Sequence, residues 1–335
     1  MKKTVLWFLK AVVAALIAFG LLSVFSFFYY NLPIHHTETT GSSDYSWDPK
    51  AFCARGTEGF SFQFTDENGY VNSYPNQGDQ VDILVMGSSH SEGFNVNYNE
   101  NYTYVLNELL QERKHDLYAY SVATSGHDFE RNLRNLESAI KRFQPQKYVV
   151  IEVMDLNIRI QKLQRLLGGK LGVLNSVNSG LVGTLQKSDA LRLMYYQLNQ
   201  LSENQAKAGQ PAQLEQDLAL LEQCLDQSLA NAGATARANG CQLILTSLSP
   251  VEFDYEGNLY DPMAPQIKEM YQRICEKYDI LFLDMYPAYE QMYNSTGRLP
   301  RGFSNTAPGV GHTNKYGHAC VARELYKCIT KEDIE

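Results

Sequence analysis

Two short segments hold the residue types that acyl-transfer chemistry needs. The first, Gly87-Ser88-Ser89-His90-Ser91-Glu92-Gly93, follows directly on the apolar run Ile83-Leu84-Val85-Met86. Ligands of open α/β sheets bind outside the carboxyl ends of the strands, so a serine just past such a strand is a candidate nucleophile. The same residues are also good turn and helix-capping chemistry, and most clusters of this kind do no more than that. The second segment, Gly311-His312-Thr313-Asn314-Lys315-Tyr316-Gly317-His318, precedes the last helical stretch. A serine hydroxyl is inert at its ordinary pKa and needs a base to take its proton. Taken alone, His312 suits a cap or the surface; paired with a serine after the first strand, it suits a general base.

The elements that must bring these segments together read as alternating strands and helices. Strands are expected at 83–86, about 116–122, 148–153, 243–245 and 280–283, and helices at about 101–113, 213–237, 264–277 and 315–329. A further helix carries Leu133, Leu136, Ile140 and Phe143 on one face before Pro145 stops it. Leu214, Leu218, Leu221, Leu225 and Leu229 form one stripe of the 213–237 helix, which Asn239-Gly240 ends. This alternation predicts a parallel sheet covered on both faces: a three-layer, doubly wound, flavodoxin-like α/β domain over about 80–335. Residues 31–79 are polar and lack a sustained period, which reads as a stalk and irregular lead-in. Residues 156–212 are too long for an ordinary connection and read as a helical insertion. It is either a lid or surface that meets the membrane or a partner, or a helical pair covering one sheet edge.

The first thirty residues set the location. No charged residue occurs from Ala11 to Tyr29, whereas Lys2, Lys3 and Lys10 all precede that run. About 20 apolar residues cross a bilayer, and the flanking lysines keep the amino terminus cytoplasmic, so a transmembrane anchor over 1–30 is expected, with the remainder outside. A cleaved signal peptide is the competing reading, but this run continues through Phe27-Phe28-Tyr29-Tyr30 rather than ending in small residues. A net charge of -8 without a basic run past the anchor argues against nucleic acid as a partner. The seven histidines show no metal-ligand spacing, so neither a metal nor another cofactor is called for. Six cysteines in an oxidising compartment allow fifteen pairings, and Cys224 and Cys241 also suit small buried hydrophobes.

Over about 82–329 the sequence resembles the SGNH (GDSL) hydrolases. Gly87-Ser88-Ser89 with Gly93 is similar to the first block of that family, with Ser88 where Asp is usual, and His312-Thr313-Asn314 with Gly317 is similar to the last. The resemblance implies Ser89 as nucleophile, His312 as general base, and an oxyanion hole drawing on Ser89, Gly126 of Ser125-Gly126-His127, and Asn157. Two further departures accompany it. The family's Gly-x-Asn-Asp block is replaced by Glu152-Val153-Met154-Asp155-Leu156-Asn157. The acid expected three residues before the histidine is replaced by Gly309, so His312 must be oriented by another acid, by a backbone carbonyl, or by nothing.

Anchoring outside the cytoplasm, together with this resemblance, implies an O-acyl esterase or acyltransferase acting on an envelope glycan or other acylated carbohydrate, with a membrane acyl-transfer protein as a further partner. The acyl group expected is acetyl. Hydrolysis and transfer use the same serine and histidine and are not separated by sequence. The alternative is a non-catalytic glycan-binding or scaffolding protein that retains the fold, a reading that draws on Gly309.

Overall fold

The structure is a computed structural model that describes all residues except 1, 33–34, 38–44, 75–79, 155–157, 172–186, 208–216, 249, 255 and 334–335. An apolar helix, α1 (Lys2–Tyr29), leads without a break into β1 (Tyr30–Asn31). The short ladder β2 (His35–Thr37) and β3 (Tyr45–Trp47) follows, and then β4 (Phe52–Arg55) and β5 (Ser61–Phe64), which join β1 in an antiparallel sheet of order β1-β4-β5. Residues read as a stalk and irregular lead-in thus contain strands. Trp47, Cys53, Val71 and Phe94 pack together there as a small core of their own.

The doubly wound domain begins at β6 (Ile83–Met86), whose four side chains are all buried, as expected of an interior parallel strand. The short helix α2 (Ser89–Glu92), α3 (Tyr102–Glu112), β7 (Ala119–Ser121), α4 (Phe129–Phe143) and β8 (Tyr148–Val153) follow in order. Asn101 and Asp128 cap α3 and α4 by accepting from backbone N–H groups of their first turns, and Gln144 ends α4 in the left-handed region just before Pro145. Next come α5 (Ile160–Leu167), α6 (Asp189–Lys207), α7 (Leu218–Ala238) and β9 (Gln242–Ser247). The chain continues through a small hairpin, β10 (Glu252–Phe253) with β11 (Leu259–Tyr260), and closes with α8 (Pro265–Lys277), β12 (Leu281–Asp284), α9 (Tyr286–Thr296) and α10 (Lys315–Thr330).

The five parallel strands lie in the order β12-β9-β8-β6-β7. In chain order that is 2-1-3-4-5, the flavodoxin-like arrangement with its switch point between the first and third strands. One face packs on α4, α5, α7 and α8 through residues such as Leu136, Leu163, Leu225 and Tyr271. The other packs on α3, α9 and α10 through Leu106, Tyr289 and Leu325. On α7, Leu221, Leu225 and Leu229 are buried, but Leu218, expected on the same stripe, is exposed because it opens the first turn. Helix α9 lies in a segment where no element was expected.

The insertion divides its helices. Helix α5 packs on α4 and α7, whereas α6 lies against α1 and β1, where Tyr196 meets Tyr30 with ring centroids 4.4 Å apart. One helix therefore covers the sheet's flank, while the other braces the apolar amino-terminal helix.

Candidate active site

Ser89 opens α2 at the carboxyl end of β6, an interior strand of the sheet between β7 and β8. Ser88 is the cap residue, and its hydroxyl accepts from the N–H of His90. The loop is fixed from below by Glu152, near the end of β8. Its carboxylate accepts from the N–H of Ser88 at 2.9 Å, the hydroxyl of Ser88 at 2.6 Å, the N–H of Ser91 at 3.1 Å and the hydroxyl of Ser91. A buried carboxylate holding four donors is a rigid seat, since losing any one of them leaves charge unpaired. Within its strand Glu152 carries no motif that marks it for this role.

His312 arrives from the opposite end of the domain. The segment before α10 is tied down by the Arg301–Thr313 bridge and by the N–H of Gly302 donating to the carbonyl of His312. Asn314, not His312, caps α10, accepting from the N–H groups of Tyr316 and Gly317. His312 is therefore free to turn its ring toward Ser89, and its Nε2 lies 2.8 Å from Ser89 Oγ.

The group on the other ring nitrogen comes from outside the expected domain. Glu58 sits in the turn between β4 and β5, and its Oε2 is 2.6 Å from His312 Nδ1 while its Oε1 accepts from the backbone N–H of His312 at 2.5 Å. An ionised carboxylate only accepts, so Nδ1 carries the proton and Nε2 of the neutral ring is left to accept from Ser89. Burial pushes the Glu58 carboxyl up, but the hydrogen bond and charge of His312, the backbone bond and the charge of Arg55 outweigh it and hold the group below its ordinary value. Gly311, at φ +95°, is what allows the approach, because a Cβ there would collide with the Glu58 carboxylate. Gly309 has no such neighbour; its φ is +74° and Phe253 and Leu299 lie at ordinary contact distance from where a Cβ would stand.

A second histidine supports the first. His90 is buried and its ring stacks on that of His312, with centroids 4.8 Å apart. Its Nδ1 accepts from the N–H of Thr313 and lies 2.9 Å from the Thr313 hydroxyl, which places its proton on Nε2. Burial, then the charges of Arg301, His312 and His318, keep its pKa well below the usual imidazole value. A neutral ring thus fixes the plane of His312 without adding repulsion when His312 takes up a proton.

Gly126 lies in the exposed turn after β7. That turn is clamped to α2 by Glu92, whose Oε2 accepts from the N–H of Ser125 at 3.1 Å and from its hydroxyl, while Oε1 accepts from Trp47 Nε1 at 2.5 Å. The N–H of Thr124 also donates to the carbonyl of Gly87 at 3.1 Å. Asn157, the other expected oxyanion donor, lies outside the described residues. The six cysteines are all free thiols, and Cys224 and Cys241 are buried.

No protein-family model matches the chain, and no curated protein sequence does. Among solved structures, it is similar to the psychrotrophic esterase EstA from Pseudoalteromonas sp., at 15% identity and a TM-score of 0.40, covering 75% of this chain and 97% of that one. It is also similar to a GDSL-like lipase from Bacteroides thetaiotaomicron, at 15% identity and a TM-score of 0.37, covering 77% and 92%. A third is the acetyl xylan esterase AlAXEase, at 10% identity and a TM-score of 0.40, covering 74% and 100%.

Proposed function

We propose that this chain is a serine esterase or acyltransferase of the SGNH type, anchored by α1 and working outside the cytoplasm with Ser89, His312 and Glu58. The observation that carries the reading is one continuous path: Ser89 Oγ to His312 Nε2 at 2.8 Å, and His312 Nδ1 to Glu58 Oε2 at 2.6 Å. This is a nucleophile, a base and an orienting acid, each within hydrogen-bond reach of the next. The non-catalytic alternative leaned on the absence of an acid at Gly309, and Glu58 removes that support.

In the first half-reaction Ser89 Oγ bonds to the carbonyl carbon of an acyl ester as its proton passes to His312 Nε2. The imidazolium that results is stabilised by the Glu58 carboxylate. The N–H groups of Ser89 and Gly126 are the proposed donors to the oxyanion, which would make backbone dipoles count where charge develops. Collapse breaks the ester C–O bond, the leaving alkoxide takes the Nε2 proton, and an acyl-Ser89 remains. The oxygen of water, or of an acceptor hydroxyl, then bonds to the acyl carbon as its proton passes to Nε2; the bond from that carbon to Ser89 Oγ breaks, and Oγ takes the proton back from Nε2. An O-acetylated envelope glycan is the proposed substrate or acceptor; its support is the extracytoplasmic location that Lys2, Lys3 and Lys10 favour.

Two assays test this. A fluorophosphonate should label the wild-type chain and not Ser89→Ala, and absence of labelling on a folded wild type would overturn the enzyme reading. Incubation of an acetylated glycan with and without an acceptor sugar separates transfer from hydrolysis by the product formed.

A further inference from the structure

The small antiparallel sheet is built inside out. In β5, Ser61 and Gln63 point inward, where the Ser61 hydroxyl donates to the carbonyl of Phe94 and the Gln63 amide donates to the carbonyls of Gly93 and Val96. The alternate residues, Phe62 and Phe64, face out, and Phe60 in the preceding turn is 60% exposed. Polar residues buried and aromatic ones presented is the informative reversal of the ordinary pattern, because soluble surfaces seldom display contiguous apolar patches.

The patch is continuous with α1. Phe52 of β4, the register partner of Phe64, stacks on Phe27 of α1 at 5.1 Å and lies 5.4 Å from Phe64 and 5.8 Å from Phe62; Phe62 in turn meets Phe60 at 5.0 Å. Phe28, also on α1, completes the run at 6.3 Å from Phe52 and is 52% exposed. Its position along the helix matches a membrane boundary. From Ala11, the first residue of the uncharged run, to Phe28 the helix rises about 26 Å, close to the ~30 Å of a bilayer's hydrocarbon core. With Lys10 at the inner boundary, Phe27 and Phe28 emerge at the outer one, and the sheet carries the same aromatic surface sideways from there.

We infer that the outer face of the β4–β5 hairpin, with Phe52, Phe60, Phe62 and Phe64, rests in the headgroup–acyl boundary of the outer leaflet. This rests on the reading of α1 as a membrane anchor. The occupant is lipid rather than a protein because the patch continues the surface of α1, which is largely exposed and, as the proposed anchor, would itself lie in lipid. Phenylalanine on the apolar face of an interfacial element buries into the headgroup–acyl boundary. The same hairpin carries Glu58 in its turn, so seating the rings in the membrane sets the height of the catalytic path and presents it to acyl esters at headgroup level.

A photoreactive benzophenone amino acid, placed singly in the full chain and irradiated in native membranes, tests the seating independently of catalysis. Position 16 on α1 is the reference for lipid, and position 239, exposed at the far rim of the sheet, the reference for water. Melting curves of each variant confirm folding. Positions 62 and 64 should give phospholipid adducts at a yield matching position 16 and several-fold above position 239. Adducts no greater than at 239, or crosslinking chiefly to a second copy or another protein, would overturn the seating while leaving the anchor intact. Failure of position 16 itself to reach lipid would remove the anchor and the inference together.

Discussion

Replacing Glu58 by glutamine isolates the part of the site that lies outside the expected domain. The wild-type carboxylate receives two donors from one residue, the backbone N–H of His312 on Oε1 and the ring Nδ1–H on Oε2. Glutamine has one acceptor and one donor in their place. With its oxygen on the backbone N–H, its NH₂ faces Nδ1 and drives the ring to the Nε2–H tautomer, which cannot take the serine proton. With the amide reversed, two N–H groups confront each other in a half-buried site, at a cost of about 1–3 kcal/mol for the unpaired donor. Either way the negative charge that stabilises the imidazolium is gone. The comparable amide substitution in another triad costs about 10⁴ in rate. We therefore expect Glu58→Gln to lower kcat on p-nitrophenyl acetate by about 10³–10⁴, with KM little changed because Glu58 touches the base and not the substrate. The assay uses detergent-purified full-length protein with melting temperature recorded in parallel. Activity within about tenfold of wild type at unchanged stability would refute the assignment of Glu58, a residual too high for a lost tautomer.

Three further outcomes follow from neighbouring contacts. Ser91→Ala should keep fluorophosphonate labelling but lose about 1–3 kcal/mol of stability, since buried Ser91 donates to Glu152 and accepts from the Tyr102 hydroxyl at 2.7 Å; a labelled peptide carrying the adduct on Ser91 would refute this. Gly309→Asp should not raise activity, because His312 Nδ1 already has its acid, and the left-handed φ should cost about 1 kcal/mol or more in thermal stability; faster turnover would show that Glu58 orients His312 poorly. Burial raises the Glu92 carboxyl from 4.5 to about 7, so between those values the unfolded chain releases a proton that the folded chain keeps. Its contribution to stability therefore falls as pH rises through that window, by about 3 kcal/mol in all. The stability difference between wild type and Glu92→Gln should shift accordingly across pH 4.5 to 7; parallel profiles would refute the shift.

What sequence disclosed and what it hid have separate physical causes. Ser89 and His312 were legible because each sits where a periodic apolar segment starts or stops, and the alternation of strands and helices fixes the rim to which both return. The doubly wound sheet was legible for the same reason. Glu58 was not, because its effect depends on a contact across 254 residues made by a turn in a segment of polar composition. A signal existed in the period-two spacing of Phe60, Phe62 and Phe64 after the Gly56-Thr57-Glu58-Gly59 turn, which marks a short hairpin. Helix α9 escaped notice because its face is mixed, with only Tyr289 fully buried.

With α1 as the proposed anchor, that long separation also sets an order of events at the membrane. As the chain emerges behind its anchor, the hairpin bearing Glu58 comes out first, Ser89 soon after, and His312 only when nearly everything else has passed. Until then the carboxylate and the hydroxyl have no imidazole between them, and the serine is an ordinary alcohol. The proposed centre would therefore be born complete rather than built up in partly active stages, and a chain stalled or clipped anywhere before residue 312 would carry the apolar helix and Ser89 but no base to activate the serine.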